Sequence, residues 1–591
     1  MFEWRIYRAG LVPVLLAVVV VAFSLANPPR PLVGTLAPDA FDGTRAFGTL
    51  RDLAARYPSR RPGSAGDLAL ARVVRQSLAA RAGSGRRSPY DITERRFRAQ
   101  TIDGERELTT VIGRRVGSSS GQIVVVAHRD AAGRGSAAAL SGTAALLELA
   151  HVASERVMTH TLTLVSTSGG SGGDAGAADF AQATGGPVDA VLVLGDLAGS
   201  SVRRPQLVPF SDGAQLAPLA LRRTLETAVN TEVGHGPGAP SVAVQFAHLA
   251  LPLTVGEQGP LLAAGLPAAL LSVSGERGPS ATERVDQNTL QQWGRAALRA
   301  VAALDSAPDL TAAPSRDLDL APKVLPGWTI AVLLGSLIIG PLLVSIDGVA
   351  RARRRREPVA RGLRWALTLV FPFLAAGLFS VVAGRLGLLG AAPPHPPLPS
   401  ALPAKGLALG AVGLVFALCW LARRPLLARL GEGSAGAAAR APGTGPVLLL
   451  MLSLLAVLVW ALNPFAAILV VPALHLWLAA AAPEVRLRRG LAVALMVAGL
   501  VPLALLVAGY GVQLALDPLQ MVWEGLVLVA GGHLGLGAVV LWSLGLGGAA
   551  AFFTIAARGD RPTAPASTIG LRTPVISAGE RTGVGGAGLR G

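Results

Sequence analysis

The sequence predicts an α/β extracytoplasmic domain followed by an α-helical domain that crosses a membrane several times. The chain has 591 residues, of which 51% are apolar and 15% charged, too apolar for a wholly water-soluble protein. Long uncharged runs are confined to the N-terminus and to residues 327–557. Between them, residues 27–305 alternate strand-like and helix-like apolar patterns, which is typical of a mostly parallel sheet flanked by helices.

The N-terminus carries a signal for membrane insertion. Arg5 and Arg8 precede an uncharged stretch from Ala9 to Ala26, which at about 1.5 Å per residue is just long enough to cross about 30 Å of hydrocarbon. We interpret residues 1–26 as a retained signal anchor, because later helices hold the chain in the membrane anyway. The alternative is a signal peptide that is cleaved after the small residues Ser24-Leu25-Ala26.

Residues 27–305 are long enough for one α/β domain with a single hydrophobic core. Continuous apolar runs predict buried strands, and leucine-rich periodic segments predict helices. The predicted strands are residues 122–127, 161–166, 190–194 and 268–273, and the predicted helices are residues 141–153, 174–184, 214–229 and 290–304. Sites in such folds lie at the carboxyl ends of the strands, so the residues that follow the strands are the candidate site residues.

We interpret residues 306–326 as a linker and residues 327–557 as a membrane domain of about seven helices. The apolar runs that predict them are residues 327–346, 365–384, 406–422, 446–462, 465–482, 491–511 and 525–557. The last run exceeds one crossing and contains Gly531-Gly532-His533, so a broken or re-entrant helix, or one more crossing, is the alternative. Residues 558–591, rich in Pro, Thr, Ser and Gly, predict a disordered cytoplasmic tail.

The distribution of basic residues predicts the orientation of the chain. Residues 27–326 hold 30 Arg and Lys against 27 Asp and Glu, whereas the other residues hold 23 against 9. Arg residues cluster at 351–364, 423–440 and 486–489, after every second predicted span, as expected of cytoplasmic loops. Both termini are therefore expected in the cytoplasm and residues 27–326 outside. The net charge of +17 then reflects topology, so the expected partner is the lipid bilayer and not nucleic acid.

Five motifs between residues 60 and 267 resemble those of a known enzyme family. His128-Arg129-Asp130 follows the first predicted strand, and residues 135–142 lead into a helix that reads TAALLELA. The other motifs are Arg60-Arg61-Pro62-Gly63-Ser64, TLTLVSTSGGSGGDAGAADF at 161–180, Leu194-Gly195-Asp196-Leu197-Ala198-Gly199, and Gly256-Glu257-Gln258-Gly259-Pro260 with Ala264-Gly265-Leu266-Pro267. In their order along the chain, these five motifs resemble those of the di-zinc aminopeptidases of metallopeptidase family twenty-eight. This resemblance implies an aminopeptidase-like fold.

The family's chemistry uses five ligands around two zinc ions that share an attacking water. The resemblance assigns two remnant metal ligands, His128 and Asp196, with Asp130 placed to orient His128. The lost positions form the floor of the expected pocket: Ala138 replaces the bridging Asp, Gly170 the general base, Ser171 a Glu ligand and Gln258 the last His. The resemblance therefore implies a degenerate member with no catalytic residue and no cofactor, and bound zinc is the alternative.

Two other chemistries use residues of the same domain. A metal centre could be rebuilt from elsewhere, with His235 and His248 in predicted loops as the candidates that could reach the pocket. Further potential ligands of this domain are His151, His160, Asp174 and Glu257. Residues 169–173 read Gly-x-Ser-x-Gly, the pattern of a serine nucleophile turn, but Ser171 lies five residues past Ser166 instead of directly after the strand.

The leading hypothesis is a membrane-anchored, catalytically inactive aminopeptidase-like protein that acts as a binding or assembly module, with a peptide or protein partner at the former cleft. This plan is similar to that of the aminopeptidase-like subunit of GPI transamidase. The alternative is an active zinc-dependent aminopeptidase with an atypical metal site. A transporter is disfavoured, because the predicted spans carry His475, His533 and, near an end, Glu524, but no charged residue at mid-depth.

Overall fold

The computed structural model describes residues 3–37, 40–80, 90–307, 313–390, 392–397, 402–429, 441, 443–481 and 487–558. They form an α/β domain (residues 24–326) and a helical domain (residues 327–558). The predicted disordered tail lies outside the described residues from position 559 onward.

A seven-stranded mixed sheet forms the centre of the α/β domain. Its strands are β1 Asp91–Thr101, β2 Gly104–Arg115, β3 Gln122–His128, β4 Thr161–Thr167, β5 Val188–Leu194, β6 Leu207–Val208 and β7 Ala268–Leu271. The spatial order is β1-β2-β4-β3-β5-β7-β6. The four central strands β4, β3, β5 and β7 are parallel, whereas β1 and β2 at one side and β6 at the other pair antiparallel. The predicted sheet with flanking helices is thus confirmed, with antiparallel strands added at both edges.

The helices of the α/β domain flank this sheet. They are α3 Gly43–Arg56, α4 Ala65–Ala79, α5 Ser141–Ser154, α6 Ala175–Ala183, α7 Leu219–Val233, α8 Val242–Ala250, α9 Gln258–Ala263 and α10 Gln287–Asp305, preceded in the chain by α1 Trp4–Gly10 and α2 Val12–Phe23. The helix predicted from residue 214 begins only at Leu219, because Pro218 disfavours helical geometry in the residue before it. His248 was expected in a loop, but it lies on α8.

The segments that lead into and out of the α/β domain are held together. Ala26 and Val324 exchange two backbone hydrogen bonds of 3.0 Å, and Lys323 Nζ donates to Asn27 Oδ1 at 2.7 Å. Part of the predicted linker forms a small hairpin of β8 Leu318–Asp319 and β9 Val324–Leu325. The end of this linker is therefore an ordered part of the α/β domain, and it fixes where the first helix of the helical domain begins.

The helical domain contains the predicted apolar segments, several of them broken. Its helices are α11 Gly327–Arg354, α12 Val359–Arg385, α13 Leu402–Arg429, α14 Thr444–Leu462, α15 Val471–Ala481, α16 Arg489–Gly499, α17 Val501–Gln513, α18 Pro518–Ala530 and α19 Leu536–Arg558, with a 3₁₀ segment at Pro464–Leu469. Among the described residues, six helical segments are long and apolar enough to cross a membrane, counting α1 and α2 together as one segment, Trp4–Phe23. There are seven if α16 and α17 form one span bent by 46°.

Two of the predicted spans differ in detail from the structure. The run predicted as one span at 465–482 is divided at Val470 into the 3₁₀ segment Pro464–Leu469, which Asn463 caps by accepting the N–H of Phe465, and the short helix α15. The run at 525–557 is interrupted at residues 531–535, where Gly532 adopts a φ of +79°. This left-handed geometry is accessible to glycine without strain, so the broken-helix alternative is the one that the structure adopts.

Candidate functional site

The carboxyl ends of β3, β4 and β5 lie side by side and bring together most of the predicted site residues. His128 is the last residue of β3, the turn that carries Gly170 and Ser171 follows β4, and Asp196 follows β5. Parallel strands end at one edge of a sheet, so motifs that are distant in sequence meet there. The edge is enclosed by α9 and by a loop from the helical domain.

His128 is paired with a residue that the motif comparison did not assign to this role. Its ring Nδ1 lies 3.7 Å from Oε2 of Glu257, whose side chain is only 2% exposed. Glu257 also accepts a hydrogen bond from the Thr167 hydroxyl. Burial lowers the pKa of His128, but the Glu257 carboxylate outweighs burial, and the pKa lies above its usual 6.5. The Glu257 carboxylate therefore stabilises the protonated form of the His128 imidazole relative to its neutral form.

Asp130, which was expected to orient His128, holds the turn after β4 instead. Its Oδ1 accepts the N–H of Gly170 at 3.1 Å, and its Oδ2 accepts the N–H of Ser171 at 3.0 Å and the Ser171 hydroxyl. Both carboxylate oxygens are thus engaged by this turn. The Ser171 hydroxyl donates to a carboxylate and not to an imidazole, so the geometry does not reproduce the Ser–His pair of a serine nucleophile.

Asp196 and Gln258 also make internal hydrogen bonds. Asp196 Oδ1 accepts the N–H groups of Ala198 at 3.0 Å and Gly199 at 2.7 Å, which caps the turn after β5. Gln258 Nε2 donates to the Thr254 hydroxyl at 2.8 Å. Both side chains are at most 2% exposed. Their contacts stabilise the edge of the sheet, as local side-chain to backbone hydrogen bonds do in other turns.

The space around Ala138 and Gly170, which the sequence comparison predicted to form the floor of a pocket, is closed. Ala138 is fully buried. A Cβ added at Gly170 would lie 2.6 Å from the Cβ of His128 and 3.2 Å from the carboxyl carbon of Glu257. These separations are shorter than van der Waals contact, so a glutamate side chain at residue 170 is incompatible with the present position of His128. Glu257 thus occupies space beside His128 that a side chain at residue 170 would need.

The donor set of this edge does not fit zinc. Zinc sites in proteins take at least three His, Cys, Asp or Glu ligands, and no such group converges among the residues that the structure describes. Two of the other candidates make contacts away from this edge: His235 Nδ1 contacts the carbonyl of Gly236, and His160 contacts Asp305. Cys419, the single cysteine of the sequence, lies on α13.

A loop between α12 and α13 of the helical domain covers this edge. We call residues 392–397 the proline loop, since it reads Ala-Pro-Pro-His-Pro-Pro. The backbone N–H of His395 donates to the Ser171 carbonyl at 2.6 Å, and His395 Nε2 contacts the Glu276 carbonyl at 2.5 Å. The former cleft therefore contacts an extended segment of the same chain, which sequence reasoning missed because no local pattern links residue 395 to residue 171.

The glycine-rich turn after β4 is what allows this close approach. A Cβ at Gly172 would lie 2.8 Å from the carbonyl oxygen of Pro393, and one at Gly173 would lie 3.0 Å from the Cβ of Ala392. Gly173 also has a φ of +77°, which side chains rarely tolerate. The glycine-rich turn thus forms a contact surface for the proline loop.

Helix α17 adds a second set of contacts to the α/β domain. The Tyr510 hydroxyl donates to the Leu251 carbonyl at 2.6 Å and lies 3.1 Å from Nδ1 of His248. His248 Nε2 lies 3.1 Å from Oε1 of Gln513, and the imidazole stacks on Phe210 with ring centroids 3.5 Å apart. Burial lowers the pKa of His248 to about 4, so the imidazole is neutral at physiological pH and acts as a fixed polar contact between the two domains.

Glu276 connects the α/β domain, the proline loop and α17. Its carboxylate accepts hydrogen bonds from the Thr254 hydroxyl, from the N–H of Val255 at 3.1 Å and from Gln513 Nε2, while its carbonyl contacts His395. Burial raises the pKa of Glu276 to about 7, although these hydrogen bonds lower it. Glu276 is therefore a buried carboxyl at a domain interface whose charge state changes near neutral pH.

No protein-family model and no curated protein sequence matches the chain. Among solved structures, it is similar to glutaminyl cyclase from Porphyromonas gingivalis, with 16% identity over 44% of this chain and 98% of that chain and a TM-score of 0.34. It is similar to a zinc aminopeptidase from Bacillus subtilis, with 12% identity over 44% and 94% and a TM-score of 0.35. A Zn-dependent exopeptidase from Parabacteroides distasonis gives 15% identity over 45% and 99% and a TM-score of 0.34. These similarities span nearly all of each protein and less than half of this chain.

Proposed function

We propose that this protein is a membrane-anchored, aminopeptidase-like scaffold without catalytic activity, and that it acts as a binding or assembly module. In this proposal the former catalytic cleft is a docking site for an extended, proline-rich segment, and in this chain that segment is the proline loop. The observation that carries the proposal is the backbone hydrogen bond from His395 to the Ser171 carbonyl. It joins the loop to the turn where the family has its general base.

The hydrogen bonds at the strand ends support the absence of catalysis. His128 is paired with Glu257, both oxygens of Asp130 hold a backbone turn, and Asp196 caps another turn. A hydrolytic metal site needs ligands that are free to bind the ion and a base that can reach the attacking water. Here Asp130 and Asp196 accept hydrogen bonds from backbone N–H groups, and Gly170 has no side chain that accepts a proton.

The polar contacts between the domains support a role in assembly. Tyr510 and Gln513 of α17 contact His248 and Glu276 of the α/β domain, and Asn463 Nδ2 donates to the Leu249 carbonyl at 2.7 Å. Buried hydrogen-bonded groups fix the relative position of packed surfaces, because an unpaired partner is costly. The α/β domain would thus be held in one orientation on the helical domain.

A peptidase assay tests the absence of catalysis. We expect the purified full-length protein to hydrolyse a panel of aminoacyl-arylamides, with added Zn²⁺ or Co²⁺, no faster than the His128→Ala variant does. The reason is that no three His, Cys, Asp or Glu side chains converge in the part of the chain that the structure describes. Turnover that is sensitive to a chelator and abolished by His128→Ala would contradict the proposal and favour an active zinc-dependent aminopeptidase with an atypical site.

We also propose that the α/β domain lies outside the cytoplasm, because the exposed residues Arg353, Arg354, Arg355 and Arg356 follow the apolar part of α11 and basic loops stay in the cytoplasm. In a Cys419→Ser background, a membrane-impermeant maleimide should label Ser200→Cys in intact cells. It should label Arg355→Cys only after permeabilisation. Both residues are exposed, so the reverse labelling pattern would refute this orientation.

A further inference from the structure

A cavity of about 180 Å³ lies beside the former cleft, between the α/β domain, the proline loop and the chain that joins α18 to α19. Its polar lining consists of Asp174, Asp212, Thr254 and the two histidines His395 and His533, and its apolar lining includes Leu253, Pro393 and Leu528. The described residues that line it include no Lys or Arg. The cavity therefore combines carboxyl groups with an apolar wall at the junction of the two domains.

Asp174 has a local structure that its role in the fold does not explain. It precedes α6 at the N-cap position, but its side chain makes no capping hydrogen bond, and its backbone is left-handed with φ 45° and ψ 36°. The residue is 7% exposed, and its Oδ1 has no hydrogen-bond partner among the described residues. A strained backbone and an unpartnered buried carboxyl oxygen both destabilise the folded protein, and such features cluster at binding sites.

The surrounding charges are also unbalanced. Burial and the negative charges of Glu257, Asp212, Asp130 and Glu276 raise the pKa of Asp174 well above its usual value. Asp212 also lines the cavity and is exposed, and partial desolvation by the surrounding protein raises its pKa to about 6. A positively charged ligand would pair with these carboxylates and remove their mutual repulsion.

We propose that this cavity binds a small organic cation that carries a primary ammonium group on a short aliphatic chain. The ammonium donates hydrogen bonds to the carboxylates of Asp174 and Asp212, and the aliphatic chain packs against Leu253, Pro393 and Leu528. The volume suits such a ligand, since cavities of about 150 Å³ admit a six-carbon ring. A metal ion fits less well, because among the described residues no three His, Cys, Asp or Glu side chains converge. The inference holds whether or not the cleft is catalytic.

Binding of n-butylammonium to the full-length protein in detergent, followed by calorimetry and by the melting temperature, tests this site. Wild type should bind the cation and melt at a higher temperature in its presence, whereas 1-butanol, of the same shape but neutral, should have no effect. Asp174→Asn and, independently, Asp212→Asn should weaken binding at least tenfold. Asp52→Asn, which removes an equal charge from an exposed residue of α3 paired with Arg56, should leave binding unchanged.

Equal binding to wild type and to both cavity variants, or an equal effect of 1-butanol, would overturn the proposal. The same titration in lipid nanodiscs distinguishes the source of the ammonium group. If phosphatidylethanolamine abolishes butylammonium binding that persists in phosphatidylglycerol alone, the natural ligand is a lipid headgroup. If binding is the same in both lipids, the ligand is a soluble amine.

Discussion

Replacing Asp67 with alanine is expected to lower the free energy of unfolding of the α/β domain by about 3–5 kcal/mol. Asp67 and Arg129 are both fully buried, and Arg129 Nε lies 2.9 Å from Asp67 Oδ1. Arg129 also donates to the carbonyls of Ser166 and Thr167 at 2.9 Å and 3.1 Å, so it ties β4 to α4. Without Asp67 its positive charge would be buried and unpaired. Denaturant unfolding of the full-length protein in detergent, followed by circular dichroism, measures this loss.

The control for this prediction is an exposed ion pair on α3. Asp52 lies 2.8 Å from Arg56, and both side chains are at least half exposed. Exposed pairs contribute about 0–1 kcal/mol, so Asp52→Ala should unfold almost as wild type does. If Asp67→Ala is no less stable than Asp52→Ala, the buried pair is not the structural element that we describe.

Lowering the pH from 8 to 6.5 is expected to stabilise the wild-type protein, and Glu276→Gln should reduce this gain. The pKa of Glu276 is about 7 in the folded protein and near 4.5 when the residue is unfolded. Between these values the folded state holds a proton that the unfolded state has lost, so stability rises as the pH falls through 7 and levels off below 4.5. The full effect is at most about 3 kcal/mol. Melting temperatures across this pH range measure it.

Other titratable groups also change the stability of the protein with pH, so they limit the pH range over which wild type and Glu276→Gln can be compared. The raised pKa values of His128 and Asp212 act in the same direction as Glu276. Burial lowers the pKa of His248 to about 4 and that of His395 to about 3, so these residues destabilise the folded state below about pH 6.5. The decisive quantity is therefore the difference between wild type and Glu276→Gln above pH 6.5. Parallel pH profiles of the two proteins would contradict the role given to Glu276.

The central strands of the fold could be predicted because their signal is local. Residues such as Ile123, Val124 and Val125 are buried on both faces of the sheet, and a buried parallel strand reads as a continuous apolar run. The edge strand β1 could not be predicted in this way, since it reads DITERRFRAQT and most of its residues are exposed. Its strand conformation depends on pairing with β2, which is a tertiary effect.

The candidate site was predictable only where single motifs determine it. His128, Asp130 and Asp196 lie at strand ends as the motif order indicates. The partners that these and neighbouring residues make depend on chain segments far away in sequence: Glu257 faces His128, while His395 and Gln513 reach the α/β domain from the helical domain. No spacing rule relates such segments, because their contact is set by the packing of whole domains. The same holds for the breaks in the apolar helices, where composition predicts only an apolar run.

The central claim is that the proline loop covers the carboxyl ends of the central strands, and disulfide trapping tests it most directly. Ser171 and His395 share a backbone hydrogen bond of 2.6 Å, which places their Cα atoms within the separation that a disulfide bridges. In a Cys419→Ser background, the Ser171→Cys and His395→Cys pair should form this disulfide when native membranes are oxidised, as detected by mass spectrometry of linked peptides. A Gly185→Cys and His395→Cys pair should not, since a Cβ at Gly185 meets no atom within 4 Å. Free thiols at residues 171 and 395 in a folded protein, alkylated as readily as in the Gly185 control, would contradict the claim.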